Sequence, residues 1–191
     1  NVSSHLLLET NAMNATIRRL RRLLVAALLC AAGGVALAAP PSLAMIGFEL
    51  LEDHPDGSRD AEQQARLKMI DAEFRALIAE RGLYRPVDLA PQQALVDKVR
   101  NGAEFVFRCV HCKSDLAAGL GSDYVAVGWV QKVSNLILNV NIEIIEAASG
   151  RVALVKSVDL RGNNEESWLR GVRFMVRDMA EKRALHPGYG L

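Results

Sequence analysis

From Leu136 to Ile145 apolar and polar residues alternate, with Leu136, Leu138, Val140, Ile142 and Ile144 set against Asn139, Asn141 and Glu143. A repeat of two belongs to a strand, because successive side chains point to opposite faces of a sheet. One face of this strand is therefore buried and the other wet. Ala147-Ala148-Ser149-Gly150 reads as a turn, and Arg151 to Arg161 as the returning strand. The polar residues Asn139, Asn141, Glu143, Ser157, Asp159 and Arg161 then share one side of the hairpin.

The rest of the chain is built around that hairpin. Leu43 to Leu51 reads as a buried strand, and a polar loop, 52–58, follows it. Asp60 stands at a helix start with Gln63 three residues on, and Gly82 at the far end. Leu67, Ile70, Phe74, Leu77 and Ile78 make one helical stripe between them. Leu83 to Leu89 is a second strand, placed at an edge because Pro86 cannot donate to a ladder. Gln92 to Val99 and Lys113 to Leu120 read as short helices, the second stopped by Gly121. Asp123 to Val133 is a valine-rich strand. Residues 104–108 fit either strand or turn. Gly162-Asn163-Asn164 opens a last helix whose buried stripe is Trp168, Leu169, Val172, Met175, Val176 and Met179.

Strands joined by helices favour parallel pairing through right-handed crossovers, and the later meander favours antiparallel pairing. The expectation is an α/β (mixed α+β) fold, with one mixed sheet of about five strands and helices mainly on one face.

An address is also legible. Met13 to Ala38 has the form of a secretory signal: basic Arg18, Arg19, Arg21 and Arg22, an apolar run from Leu23 to Leu37, and Ala36-Leu37-Ala38 as a cleavage site. The run is too short and too rich in Ala and Gly to favour a membrane span. Residues 1–12 read as upstream coding sequence or a non-native leader, with Met13 the start. Cleavage after Ala38 leaves 153 of the 191 residues, enough for a single α/β domain over 39–185 with a loose tail at 186–191. It also removes four arginines and Glu9. The remaining 19 basic and 21 acidic residues give a net charge of −2. That balance argues against a nucleic-acid partner held by phosphate contacts. Cys30 is lost with the signal, and Ala27-Leu28-Leu29 before it lacks the small residue a lipoprotein signal needs. The expected product is periplasmic, without a membrane span after cleavage, and it keeps Cys109 and Cys112 in an oxidising compartment.

The stretch Cys109 to Arg173 resembles a family of secreted bacterial proteins catalogued as a domain of unknown function. The resemblance is carried by Cys109-x-x-Cys112, Leu120-Gly121-Ser122-Asp123, Val127 to Ser134, Arg161-Gly162-Asn163 and Glu166-Ser167-Trp168. More loosely, the mature chain is similar to the small amino-terminal α/β domain of TolB, a fold shared with the curli secretion protein CsgG and with outer-membrane activators of cell-wall synthases. The shared features are a helix, a Leu-Gly-(Ala/Ser)-Asp turn, a strand with a glycine, then a hairpin. The likeness implies a protein-binding or assembling role and no catalysis.

Few residues suggest chemistry. Cys109-Val110-His111-Cys112 fits a structural disulfide closing a tight loop. At a helix N-terminus it also fits a redox pair. Metal ligation by both thiols and His111 is too tight for tidy tetrahedral geometry, and the haem-attachment variant Cys-x-x-Cys-Lys has no other support. The loop after the first strand offers Asp53, His54 and Asp56 as weak metal ligands, with Glu52 and Asp60 nearby. Its spacing does not fit an EF-hand. Nucleophile-elbow, zinc-protease and P-loop patterns are absent from the sequence. Trp129 and Trp168 pack together in the core, or one of them is exposed as a partner anchor. Arg170, Arg173 and Arg177 recur on one flank of the last helix.

The leading expectation is a non-catalytic periplasmic accessory protein without a cofactor. It presents Asn139, Asn141, Glu143, Arg161, Arg170 and Arg173 to an envelope protein partner. The alternatives are a thiol-disulfide or metal-handling protein using Cys109 and Cys112, and a small-ligand sensor using the loop after the first strand.

Overall fold

A computed structural model describes residues 39–53, 55 and 57–191, with only the backbone of Ser58. The expected signal at 13–38, with Cys30, lies outside the described residues, as do His54 and Asp56.

Five strands form one sheet: β1 (Ser42–Glu52), β2 (Arg85–Pro86), β3 (Tyr124–Lys132), β4 (Leu138–Glu146) and β5 (Val152–Leu160). Their order is β2-β1-β3-β4-β5. β1 pairs in parallel with β2 and β3, while β3–β4 and β4–β5 are antiparallel. This is the mixed sheet that the element order implies.

Among the described residues four helices complete it: α1 (Asp60–Glu80), α2 (Gln93–Gly102), α3 (Val110–Gly119) and α4 (Glu165–Leu185). The two 21-residue helices, α1 and α4, pack on one face over Met45, Phe48, Val130, Ile142 and Ile144. The two ten-residue helices, α2 and α3, cover part of the other face around Ala44, Ile46, Val125 and Val127. Most of the helical mass thus lies on one side, and the short pair shields β1 and β3 on the other. β1 is apolar without alternation because it is buried on both faces.

A bulge in β1 matters for everything downstream. Pairing with β3 shifts register between Met45 and Phe48, where Gly47 sits at φ +110°. Before it, odd residues face the long helices, and after it, even residues do. Glu49 is thereby turned toward the short-helix side, where its carboxylate accepts the backbone N–H groups of Val106 and Phe107 at 2.8 and 3.1 Å. Glu52 is turned to the side of α1 and α4. A side chain at position 47 would also strike Arg100, whose guanidinium lies 2.7 Å from where a Cβ would be. That guanidinium donates to the Ile46 carbonyl, and Arg75 donates to Met45 from the opposite helix layer.

Several local expectations need correcting. β4 begins at Leu138, and Leu136 and Ile137 are exposed in a turn, because the Ser134 hydroxyl accepts both of their N–H groups. The second strand shrinks to Arg85–Pro86, since Leu83 and Tyr84 instead bond to the Ile78 carbonyl at the end of α1. It keeps its edge position. Residues 106–108 form a 3-10 turn rather than a strand. Gln63 does not close a capping box with Asp60, because α1 starts at Asp60 itself and Gln63 reaches Glu52. Trp129 and Trp168 lie on opposite faces of the sheet and do not meet, since Trp129 is out of step with the buried residues Ala126 and Val130.

The tail at 186–191, expected to be loose, is held. Arg183 donates to the carbonyls of Leu83, Tyr189 and Gly190 at 2.6, 2.8 and 3.1 Å, and Tyr84 donates to Gly190. Burial pushes the Tyr84 hydroxyl above its ordinary pKa, and the adjacent Arg183 guanidinium partly offsets the shift.

Candidate functional site

A buried polar cluster lies at the carboxyl ends of β1 and β3, where ligand sites gather in α/β sheets. Glu52 and Lys132 are paired in the β1–β3 register, and their side chains form an ion pair at 2.5 Å, each 8% exposed. From α1, Gln63 donates to the second Glu52 oxygen at 3.3 Å. Arg66, one turn on, donates to Glu62 and, at 3.2 Å, to Asn163 Oδ1. The indole Nε1 of Trp168 donates to that same oxygen at 3.1 Å. Arg66 also lies over the Trp168 ring, 6.0 Å from its centroid.

The local sequence explains how these residues arrive. Asn164 caps α4 by accepting the Ser167 N–H at 2.9 Å, which is the expected cap. Asn163 is thereby left free to turn inward. Lys132 ends β3 on the side of the long helices, and the Gly47 bulge sends Glu52 to the same side. Charges balance, with Glu52 and Glu62 against Arg66 and Lys132. Gln63 Oε1 and Arg66 Nε have no hydrogen-bond partner among the described residues. The arrangement therefore ties the end of β1, the first turns of α1, the end of β3 and the start of α4 into one unit. Lys132, Asn163 and Trp168 came from the resemblance motifs. Gln63 reads in the sequence only as a helix-start residue, and Arg66 carries no motif. Their signal was that they share the helical stripe of Leu67, Ile70 and Phe74, a face on which polar residues must find partners.

The second cluster is the Cys-x-x-Cys segment. Cys109 and Cys112 form a disulfide with Cα atoms 5.2 Å apart. Cys109 is the N-cap of α3, and its sulfur accepts the Cys112 N–H at 3.3 Å. The exposed imidazole of His111 lies 3.3 Å from Cys109 Sγ and 3.8 Å from Cys112 Sγ. Cys112 is 4% exposed within the short-helix cluster, and Cys109 is half-buried at its rim. With the sulfurs joined, neither offers a thiolate to a metal. Phe107 packs against the same cluster and stacks on Trp129, with ring centroids 4.5 Å apart.

The third region is the outer half of the sheet. On the short-helix side, Asn139, Asn141 and Glu143 sit opposite Asp159, Ser157 and Val155. They share a face, as their alternation requires, but they are not equally available. Asn141 is 7% exposed and donates to the Trp129 carbonyl and to Asn139. Glu143 is joined to Lys113 at 2.5 Å. Arg161 and Arg170 belong elsewhere, lining a cleft of about 500 Å³ between β5 and α4 with Ser157, Asp159, Ser167 and Phe174. Arg173 lies on α4 beyond that cleft, bridged to Glu73 at 2.6 Å. Asp53 is exposed on the loop after β1.

The fold and its carboxyl-end cluster define a small mixed-sheet α/β protein whose central parallel strands are clamped by buried polar side chains. The chain belongs to the family DUF3280, described as "Protein of unknown function (DUF2380)", whose model matches residues 41–179. No curated protein matches the chain. Among solved structures it is similar to the LpoB C-terminal domain from Salmonella enterica, at 13% identity and a TM-score of 0.42, over 67% of this chain and 87% of that one. It is similar to the lipoprotein GNA1162 from Neisseria meningitidis, at 14% identity and 0.43, over 77% and 98%. The expected likeness to TolB is also found, in the protein from Acinetobacter baumannii, at 13% and 0.43, over 78% of this chain and 29% of that one.

Proposed function

We propose that this protein is a secreted, periplasmic binding protein that engages an envelope protein through the β5 edge and the cleft beside α4. The carrying observation is that β5 ends the sheet, with eight of its nine residues paired on one side by β4. A long strand edge offers N–H and C=O groups to a partner strand, and natural proteins generally blunt or cover such edges. Here the edge is flanked by exposed apolar side chains, Val152 at 48%, Val155 at 60% and Phe174 at 43%. Arg161 and Arg170 line the same cleft, and Arg170 also reaches Glu166 at 3.3 Å. The fitting partner is an extended protein segment carrying an acidic residue. The secreted address rests on the signal read at 13–38. Among the described residues no helix is long and apolar enough to cross a membrane.

Photo-crosslinking from position 157 or 174 in the periplasm tests the reading. A discrete crosslinked protein, lost in Arg161→Glu/Arg170→Glu, is the expected result. A chain that crosslinks to nothing from either position, or a product that retains Met13, removes the proposal.

A further inference from the structure

We infer that the Cys109–Cys112 disulfide is an exchangeable oxidant of protein dithiols, with Cys109 as the sulfur that is attacked. This adds an activity to the binding role and stands or falls apart from the β5 cleft.

The two sulfurs are not equivalent. Cys112 is 4% exposed and packed in the short-helix cluster, whereas Cys109 is only half-buried at its rim. An incoming thiolate therefore meets Cys109 first. Two neighbouring groups then favour the reduced state. The Cys112 N–H already points at Cys109 Sγ at 3.3 Å, and the His111 imidazole lies 3.3 Å from it on the solvent side. Both stabilise a thiolate there, as does the N-terminal end of a ten-residue helix. A disulfide whose reduced form is stabilised is more oxidising. A bond with only a structural task needs no imidazole against it. The surroundings suit a protein substrate, because Val110 between the cysteines is 74% exposed and the stacked Phe107–Trp129 pair lies on the same side of the sheet.

The exchange balances as follows. A substrate thiolate attacks Cys109 Sγ, the Sγ–Sγ bond breaks, and its electron pair leaves on Cys112 Sγ, which takes up a proton. A second substrate thiolate attacks the substrate sulfur of the mixed disulfide and expels Cys109 as a thiolate. The substrate dithiol loses two electrons and becomes a disulfide, and Cys109 and Cys112 gain them. A second protein disulfide, of the class that reoxidises secreted thiol carriers, takes those electrons back.

The test is equilibration of the full chain in glutathione redox buffers, followed by acid quench, alkylation and intact mass, with far-UV circular dichroism run in parallel. The expected result is a reversible transition to the doubly alkylated form while the fold persists. His111→Ala should move the midpoint about fivefold toward the disulfide, reflecting loss of one contact to a thiolate. Cys112→Ser mixed with a peptide disulfide should trap a mixed disulfide on Cys109, whose thiolate attacks the peptide S–S bond and expels the peptide's other sulfur as a thiolate. If that variant does not fold, the wild-type and His111→Ala titrations decide alone. A bond that stays closed in about 10 mM reduced glutathione until the protein unfolds, or a midpoint that His111→Ala leaves unmoved, overturns the inference.

Discussion

Asp123 and Ser42 hold each other at the start of the two central parallel strands. The Ser42 backbone N–H and hydroxyl both donate to Asp123 Oδ2, at 2.7 and 2.6 Å, and the Asp123 N–H donates back to the hydroxyl at 2.8 Å. The Lys132–Glu52 pair closes the opposite end of the same strands. The β1–β3 ladder is thus fastened at both ends by polar contacts that span about eighty residues of chain.

The Ser42 clasp predicts an acid dependence. The hydroxyl and N–H of Ser42 hold the Asp123 carboxyl below its ordinary pKa, and the Lys156 ammonium does the same for Asp178. Both groups are depressed in the folded state, so the folded chain binds protons less readily than the unfolded one. Their contribution is present above the ordinary carboxylate range near 3.9 and is lost as pH falls through the folded values. Denaturant midpoints measured from neutral pH downward should fall below about pH 4. Ser42→Ala should flatten that fall while leaving its Asp178 component, and an unchanged slope would count against the clasp.

Lys132→Met leaves the Glu52 carboxylate buried with only Gln63 beside it. The cost should be about 3–5 kcal/mol in urea unfolding, because an uncompensated buried charge remains. The double variant Lys132→Met/Glu52→Leu should regain most of that loss. A double variant as unstable as the single one would show that packing, not charge, sets the cost.

Gly128 sits within the motif Val127 to Ser134, and the structure gives it a steric reason. A Cβ there would stand 2.3 Å from Phe48 Cδ1 on the neighbouring strand. Gly128→Ala should therefore destabilise by about 1–3 kcal/mol. Phe48→Leu in the same chain should relieve part of it, which a double-mutant cycle would read as favourable coupling.

The disulfide closes a loop of only four residues. Loop-closure entropy for so short a ring gives about 2 kcal/mol. Cys109→Ala/Cys112→Ala should thus remain folded at 25 °C, with its unfolding midpoint lowered by that amount. A variant that failed to fold would mean that the bond fixes the α3 start in a way entropy does not describe.

The hairpin β4–β5 was legible because alternation survives whatever packs on it. The last helix was legible from the Asn164 cap and the spacing of Trp168, Val172, Met175 and Met179, all of which are buried in the structure. The stop glycines were equally plain, since Gly82 and Gly121 sit at φ +61° and +62° just past their helices. The second strand was overread, because Leu83 and Tyr84 are as apolar as strand residues and only the end of α1 claims their N–H groups. The two tryptophans were wrongly paired, because the face of Trp129 depends on which residues of β3 meet the long helices. Of the proposed partner surface, Asn139, Asn141 and Glu143 were found on one face, as their spacing required. That Glu143 is engaged by Lys113 depends on a helix thirty residues away in sequence.

By itself the sequence determined the elements, the mixed pairing of the sheet and the candidate residues, because periodicity, caps and turn residues act over a few neighbours. Tertiary structure alone decided which of those residues meet. The bulge at Gly47 sets the face on which Glu52 emerges, and the crossover order places β3 beside β1. Only then do Glu52, Gln63, Arg66, Lys132, Asn163 and Trp168 converge. Their charges and polar groups can leave water at that place because each segment supplies partners that the others lack.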